Sequence, residues 1–207
     1  MIRINGVDVE STLNQNTEDS QGTYVLADNP NLYEPQRSNN FDFIVTGLDN
    51  ILRAGTNGDE AGAVIVNAQE TLRIAVNSAF VPHFTQEILS LNRGNDTIKY
   101  AGKITFPEGQ FIINDYIGAD TKSILMAWQN LSGNVKTEKV GHASDYKKDA
   151  YLVEYTPDYT TVRRWVLKGC WISGISEGEY NHDNNELRKV TATIQYDKAY
   201  IDTSELT

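Results

Sequence analysis

Cysteine is almost absent from this chain: Cys170 is the only one in 207 residues. One thiol cannot close an intramolecular disulfide, and it cannot build the paired-thiolate zinc sites that need at least two. Histidine is also scarce, with His83, His142 and His182 far apart. None stands in an H-E-x-x-H pattern. Basic residues fall short of acidic ones, 18 against 28, for a net charge of −10. That balance argues against a protein that grips DNA, because neutralising phosphates takes an excess of Lys and Arg. No apolar run approaches the ~20 residues that cross a bilayer as a helix. The opening Met1-Ile2-Arg3-Ile4-Asn5-Gly6 lacks the apolar stretch of a signal peptide. The expectation is therefore no membrane insertion.

Catalytic motifs are missing as well. There is no phosphate-binding Gly-rich loop, no G-x-S-x-G and no G-x-G-x-x-G. Gly174-Ile175-Ser176-Glu177-Gly178 has neither the order nor the strand–helix setting of a serine elbow, and reads as a Gly-punctuated turn after the Trp171 strand. Glu177 and Glu179, two apart, would share a strand face and could do acid–base work, but a solvated turn explains them more simply. His182-Asp183 sits inside Asn181–Asn185, a composition that makes turns first. Arg163 and Arg164 on a strand point to opposite faces and cannot form one phosphate clamp. Trp128, Trp165 and Trp171 read as core and interface residues. No pattern calls for a metal or a cofactor, and the expectation is that the chain is not an enzyme.

What the sequence does have is short strands. Residues 1–60 carry 10 acids and 3 bases and are rich in Asn, Gln and Ser, so 1–40 reads as an arm, extended or disordered until assembly. Residues 203–207 read as a C-terminal tail. Phe41–Thr46 begins the strand pattern, and 47–69, Gly-rich and acidic, reads as a hairpin tip or long loop. Glu70–Val76 alternates with Leu72, Ile74 and Val76 on one face, which predicts a strand. Asp96–Phe106, Phe111–Tyr116, Ala150–Tyr155, Thr161–Cys170 and Leu187–Tyr196 complete about eight strands. In the last, Val190, Ala192, Ile194 and Tyr196 alternate with Lys189, Thr191, Thr193 and Gln195. One helix is predicted, Thr121–Leu131, with Asp120 as N-cap, an apolar stripe of Ile124, Leu125, Trp128 and Leu131, and Gly133 as a left-handed C-terminal cap. The fold class is mainly β: an antiparallel β-sandwich or barrel with one helix at about 120–131.

Sheet edges without a catalytic site, and eleven tyrosines in polar surroundings, point to assembly. Seven short motifs then recur in a familiar order: Phe41-Asp42-Phe43-Ile44-Val45; Leu72–Val76 leading to Ala79-Phe80-Val81-Pro82; Ile88–Phe106 with Tyr100-Ala101-Gly102; Ala127-Trp128-Gln129; Tyr146-Lys147-Lys148-Asp149-Ala150; Lys168-Gly169-Cys170-Trp171; and Asn184-Asn185-Glu186 before a strand ending in Tyr196-Asp197. In this order, over residues 40–202, the chain resembles the tail tube proteins of contractile-tailed bacteriophages. The related tubes of type VI secretion and phage-tail-like bacteriocins share that fold.

The resemblance implies a structural virion protein of the tail, made in the host cytoplasm. Homohexameric rings would stack into a tube whose inner wall is a closed β-barrel. Sheath, baseplate and tail-terminator proteins would be its partners. Tape-measure protein and DNA would occupy the lumen transiently during delivery of the genome, with no stable nucleic-acid binding. The arm 1–40 is longer than usual for the family, and 47–69 looks inserted. Phe80, Val81, Pro82, His83 and Phe84, an apolar run beside the long hairpin, are expected in an inter-ring or inter-subunit contact. Lys189, Thr191, Thr193 and Gln195 are expected to face the lumen. Two readings from other classes stand beside this one: a carbohydrate-binding sandwich stacking sugars on Trp165 or Trp171, and a small hydrolase using Glu177 or Glu179.

Overall fold

The computed structural model describes residues 3–4, 7–8, 34–49, 51–52, 64–183 and 185–202. The chain divides into two units, Met1–Ser38 and Asn39–Thr207. In the first, β1 (Arg3–Ile4) pairs antiparallel with β2 (Val7–Asp8). Most of the expected arm, and the tail 203–207, lie outside the described residues. So does the middle of 47–69, whose two ends pair as β4 (Ile51–Leu52) and β5 (Val64–Ile65).

The second unit is built on one antiparallel sheet. Its strands are β3 (Phe41–Val45), β6 (Val76–Ala79), β9 (Gly109–Asn114), β10 (Lys148–Tyr155), β11 (Thr161–Glu177), β12 (Lys189–Gln195) and β13 (Lys198–Asp202). The order is β3-β10-β11-β12-β9-β6, with β13 also on β11. The seventeen residues of β11 serve both halves. Its first part, to Cys170, lies between β10 and β13; its last part, from Trp171, pairs with β12. Phe43 of β3 stacks on Phe111 of β9 at 5.3 Å, so the sheet folds back and the halves face each other. The fold is mainly β and antiparallel, as expected. The sheet stays open among the described residues: β3 and β6 end it without pairing, so no barrel closes within this chain.

The bend has a local cause. Gly169 lies at φ +69°, where a side chain is strained, and a Cβ there would collide with the Asp197 carboxylate. Across from it the chain passes from β12 to β13, and Asp197 N–H donates to Lys168 O at 2.9 Å. Asp197 also accepts from Lys147 Nζ at 2.7 Å.

Between the halves lies one core. Phe43, Val45, Ala150, Leu152 and Leu167 come from one side, and Phe111, Ile113, Ile172, Val190, Ala192 and Ile194 from the other. Helix α2 (Thr121–Ser132) adds Ile124, Leu125, Ala127 and Trp128, all buried, while Leu131 is half-buried. The predicted stripe is therefore the buried face. The caps differ. Asp120 has φ 51° and makes no side-chain cap; its carbonyl accepts from Ser123 N–H at 3.0 Å and its carboxylate from Ser123 Oγ at 2.6 Å. Gly133 is extended, at φ −164°, not left-handed. A short helix α3 (Ala143–Tyr146) comes next. Its Tyr146 carbonyl accepts from Trp128 Nε1 at 2.8 Å, which satisfies the one polar atom of a fully buried indole.

The expected strand at Glu70–Val76 is instead helix α1, Ala68–Ala75, with β6 starting at Val76. Ala68, Leu72 and Ala75 are buried at i, i+4 and i+7, while Ile74 points outward. Arg73 reaches back to Glu70 at 2.6 Å, an i,i+3 pair that suits a helix. The strand after Trp171 also runs further than predicted. Gly174–Glu177 is paired to β12, not a turn.

Trp128→Ala should destabilise the subunit by ~3–5 kcal/mol, the range for emptying a buried aromatic site. Denaturant titration measures it; a loss well below 1 kcal/mol would place the indole outside the core.

Candidate assembly surfaces

Of the segment Phe80–Phe84, the structure keeps two residues inside. Phe80 stacks on Tyr196 at 5.6 Å and meets Phe43 at 6.2 Å. Its ring lies against Gly109, where a Cβ would collide with it, so glycine at 109 makes room for the aromatic. Pro82 is buried. Val81, His83 and Phe84 are exposed, and His83 O accepts from Tyr196 Oη at 3.2 Å. Phe84 sits edge-on to Phe106, which in turn meets Tyr196. The run thus roots the hairpin that leaves the sheet at Thr85.

That hairpin is a two-stranded ribbon, β7 (Thr85–Arg93) and β8 (Asp96–Thr105), which pair only with each other among the described residues. At a strand's rise it reaches about 30 Å. Ile88, Leu89, Leu91, Ile98, Tyr100 and Ile104 are all exposed on it. The register sorts them. Leu89 lies opposite Tyr100 and Leu91 opposite Ile98, so these four share one face; Ser90 opposite Lys99 and Asn92 opposite Thr97 make the outer half of the other face polar, while Ile88, opposite Ala101, lies on that face nearer the root. A bulge between Gln86 and Ile88 adds a residue to β8 at Gly102–Lys103. It puts Ile104 opposite Gln86, away from Ile98 and Tyr100, which plain alternation from Asp96 to Phe106 had grouped with it. A two-stranded ribbon is at best marginal in water. One with an uncovered apolar face is built to be covered.

On β12, Val190, Ala192 and Ile194 are buried, while Lys189 is exposed and Thr191, Thr193 and Gln195 are half-buried on the opposite face. Pairing puts Asn114 beside Lys189, Ile112 beside Thr191 and Gln110 beside Thr193. Gln195 Nε2 donates to Glu108 at 2.9 Å. That face of the sheet is polar and nearly uncharged.

The opposite end of this half-sheet from the ribbon carries a charged clasp. Glu177 accepts from Lys122 Nζ at 2.7 Å and from Arg188 Nη2, and Arg188 lies 3.9 Å from Asp115. The Arg188 guanidinium also lies over the Tyr180 ring at 3.8 Å. Lys122, then Arg188, hold the Glu177 carboxyl below its ordinary range. Glu177 is thus a structural anion. Glu179 lies past the end of β11, so the two acids do not share a strand face. Neither tryptophan offers an open platform: Trp165 packs on the core and donates to Glu154 at 3.3 Å, and Trp171 is half-buried edge-on to Tyr146. Arg163 pairs with Glu154 while Arg164 lies over Tyr151, on opposite faces as expected. No cluster of metal-ligating side chains occurs among the described residues.

Sequence reasoning missed the clasp, although Glu177 and Arg188 bracket the turn it had placed at Asn181–Asn185. It also ended a strand on Tyr116 and began one on Leu187, which are exposed residues outside β9 and β12, and it missed the exposed Ile117 and Tyr180, because single apolar residues in loops carry no periodicity.

No protein-family profile and no curated protein matches the sequence. Solved structures do. A chain of the sheath–tube complex of the extracellular contractile injection system PVC, in its extended state, is similar at TM-score 0.57 and 16% identity, covering 88% of this chain and 99% of that one. The sheath/tube terminator of the same system matches at TM-score 0.57 and 14% identity, over 83% and 99%. The tube-terminating cap of the anti-feeding prophage matches at 0.56 and 16%, over 82% and 92%. The chain has the fold of tube and tube-terminator components of contractile injection systems, in line with the family its motifs resemble. These neighbours are structural parts of particles, not enzymes.

The clasp has a pH signature. A carboxyl with a depressed folded pKa contributes stability that is present above its unfolded pKa and lost as pH falls through the folded one. Glu177→Gln should therefore lower the unfolding midpoint at pH 7, and the gap from wild type should close as pH falls below the ordinary value of 4.5. Unfolding at stepped pH measures this; a gap independent of pH would remove the ion pairs as the cause.

Proposed function

We propose that this chain is the tube subunit of a contractile tail, forming hexameric rings that stack into a channel. The observation that carries this is the uncovered apolar face of the ribbon 85–105 on a fold shared with tube components. The free edges β3 and β6 would be used when neighbouring copies continue one sheet into the next, closing a barrel that one chain leaves open. Val81, His83 and Phe84, at the ribbon root, would join the contact between copies; Phe80 and Pro82 act from inside by fixing that root.

The polar face of β12 would line the lumen. Lys189, Thr191, Thr193 and Gln195, with Gln110 and Asn114, offer a passing polymer hydrogen bonds to water, little charge and few apolar holds. The acidic chain as a whole repels phosphates. This suits passage of a phage genome with a tape-measure protein ahead of it, and sheath, baseplate and terminator proteins outside and at the ends. The neighbours' names favour a second reading, a tube in an extracellular contractile injection system.

Electron microscopy of concentrated purified protein should show rings or tubes; a strictly monomeric protein at all concentrations overturns the proposal. Phe84→Asp should leave the subunit folded by circular dichroism and abolish polymers, and normal tubes from that variant would remove the root from the contact.

The lumen assignment has its own test. Native Cys170 is fully buried, and burial, with help from Asp149, pushes its thiol up to about 12, so it stays unreactive. Thr193→Cys in assembled tubes should then react with a small maleimide and resist one too large for the bore. Equal labelling by both would put that face on the outside.

A further inference from the structure

Past the end of β11 the chain curls around an open recess of about 580 Å³, lined by residues 178–181 and 186–189. That volume falls in the range of small-molecule sites. Only Lys189 is shared with the face proposed for the lumen, and the recess is complete within one copy.

Its central feature is a ring with one face free. The Arg188 guanidinium lies over Tyr180, 3.8 Å from the ring centroid. Tyr180 is nonetheless 83% exposed, so the second face of its ring stands in water. Arg188 cannot drift, because its Nη2 donates to Glu177, which also holds Lys122 Nζ at 2.7 Å. Its carbonyl accepts from Asp115 N–H at 3.0 Å. The clasp therefore fixes a cation, and the cation fixes the ring. An aromatic platform ordered in advance loses less freedom when something is laid on it. Leu187, 82% exposed, adds a second bare apolar group to the lining.

Hydrogen-bonding groups of both kinds surround that platform. Glu179 and Glu186 supply acceptors and Lys189 a donor, and their side chains make no hydrogen bond or ion pair with another residue among those described. Asn181 spends its oxygen on the turn, accepting from Asp183 N–H at 2.9 Å, so its amide nitrogen is the group it can offer. The two carboxylates balance Arg188 and Lys189, which leaves the lining without net charge.

These features sort the ligand classes. A second cation on the ring would meet the Arg188 charge through it. A phosphate-bearing ligand would meet Glu179 and Glu186. A wholly apolar one would leave those carboxylates and Lys189 stripped of water with nothing in exchange. A pyranose satisfies all three conditions: it is neutral, its hydroxyls both donate and accept, and its axial C–H groups form a flat apolar face. We propose that this recess binds a neutral saccharide, with a sugar ring stacked on the open face of Tyr180 and its hydroxyls bonded to Glu179, Glu186, Lys189 and the Asn181 amide. The two tryptophans that sequence reasoning offered for such a role are covered; the platform is a tyrosine that carries no periodic signal.

Saturation-transfer NMR on the purified chain tests this, with maltotriose and tri-N-acetylchitotriose as probes. Transfer to both assigns a general pyranose site, and transfer to one alone assigns a plain glucan or an N-acetylated glycan of the cell-wall kind. Sorbitol, which has the hydroxyls without the ring, should show none. Tyr180→Ala should weaken binding about tenfold or more, the loss expected when an aromatic contact is removed. Tyr180→Phe keeps the ring and should bind as the wild type does. The position is exposed, so both variants should fold, which circular dichroism verifies. No transfer to either trisaccharide would overturn the proposal. So would binding that survives Tyr180→Ala, a Tyr180→Phe chain as weak as Tyr180→Ala, or sorbitol bound as well as the sugars.

Discussion

One strand belongs to both halves of the sheet, and it can do so only because it turns at Gly169. Thr161–Cys170 is flanked by β10 and β13, and Trp171–Glu177 by β12. A side chain at 169 would meet both a disfavoured backbone angle and the Asp197 carboxylate. The same aspartate is tied to Lys147, just before β10. Bend, partner strand and next strand are thereby set together. Only with the sheet folded at this point can Phe43 reach Phe111 and enclose one core. Without the bend, each half would be an open sheet with its apolar face in water.

The core accounts for what lies inside, and the ribbon for what does not. Its base is the aromatic group Phe80, Tyr196, Phe84 and Phe106, and Gly109 leaves space for the first of them. Beyond Thr85 nothing in the rest of the described chain pairs with it. Folding free energy supplied by the described core therefore does not stabilise Leu89, Leu91, Ile98 or Tyr100, which gain only from a surface beyond the described residues. Keeping such a face exposed costs solubility unless charge opposes random contact. The net charge of −10 keeps copies apart at long range.

Much of this was legible in residues. The two-faced pattern of Lys189–Tyr196 and the stripe Ile124, Leu125, Trp128 came from periodicities of 2 and 3.6 residues, and burial tracks them closely. The same rule failed at Glu70–Val76. Leu72, Ile74 and Val76 satisfy a strand as well as Ala68, Leu72 and Ala75 satisfy a helix, and short apolar runs cannot decide between them. The core decided, by taking two small alanines and one leucine. The Glu70–Arg73 pair was the available clue. Likewise Gly102 lies where the bulge moves Ile104 across the ribbon, which alternation cannot register. Long-range charge contacts such as Glu177 with Lys122, 55 positions apart, leave no local trace at all.

That last class of contact bears on how the two loops at one end of the sheet are ordered. Ile117 and Leu187 are apolar groups on loops, and loops alone would present them in many arrangements. The Glu177 carboxylate removes that freedom by binding one cation from the helix that starts just beyond the first loop and one from the end of the second. Its cost is a partly buried set of charges, offset because each has a partner; the Arg188 guanidinium adds a ring face on Tyr180. The ordering is thus done during folding and not at the moment of contact. At the other end the ribbon is ordered only at its root. Ordered loops at one end and a ribbon ordered only at its root at the other make the two ends of the half-sheet unlike.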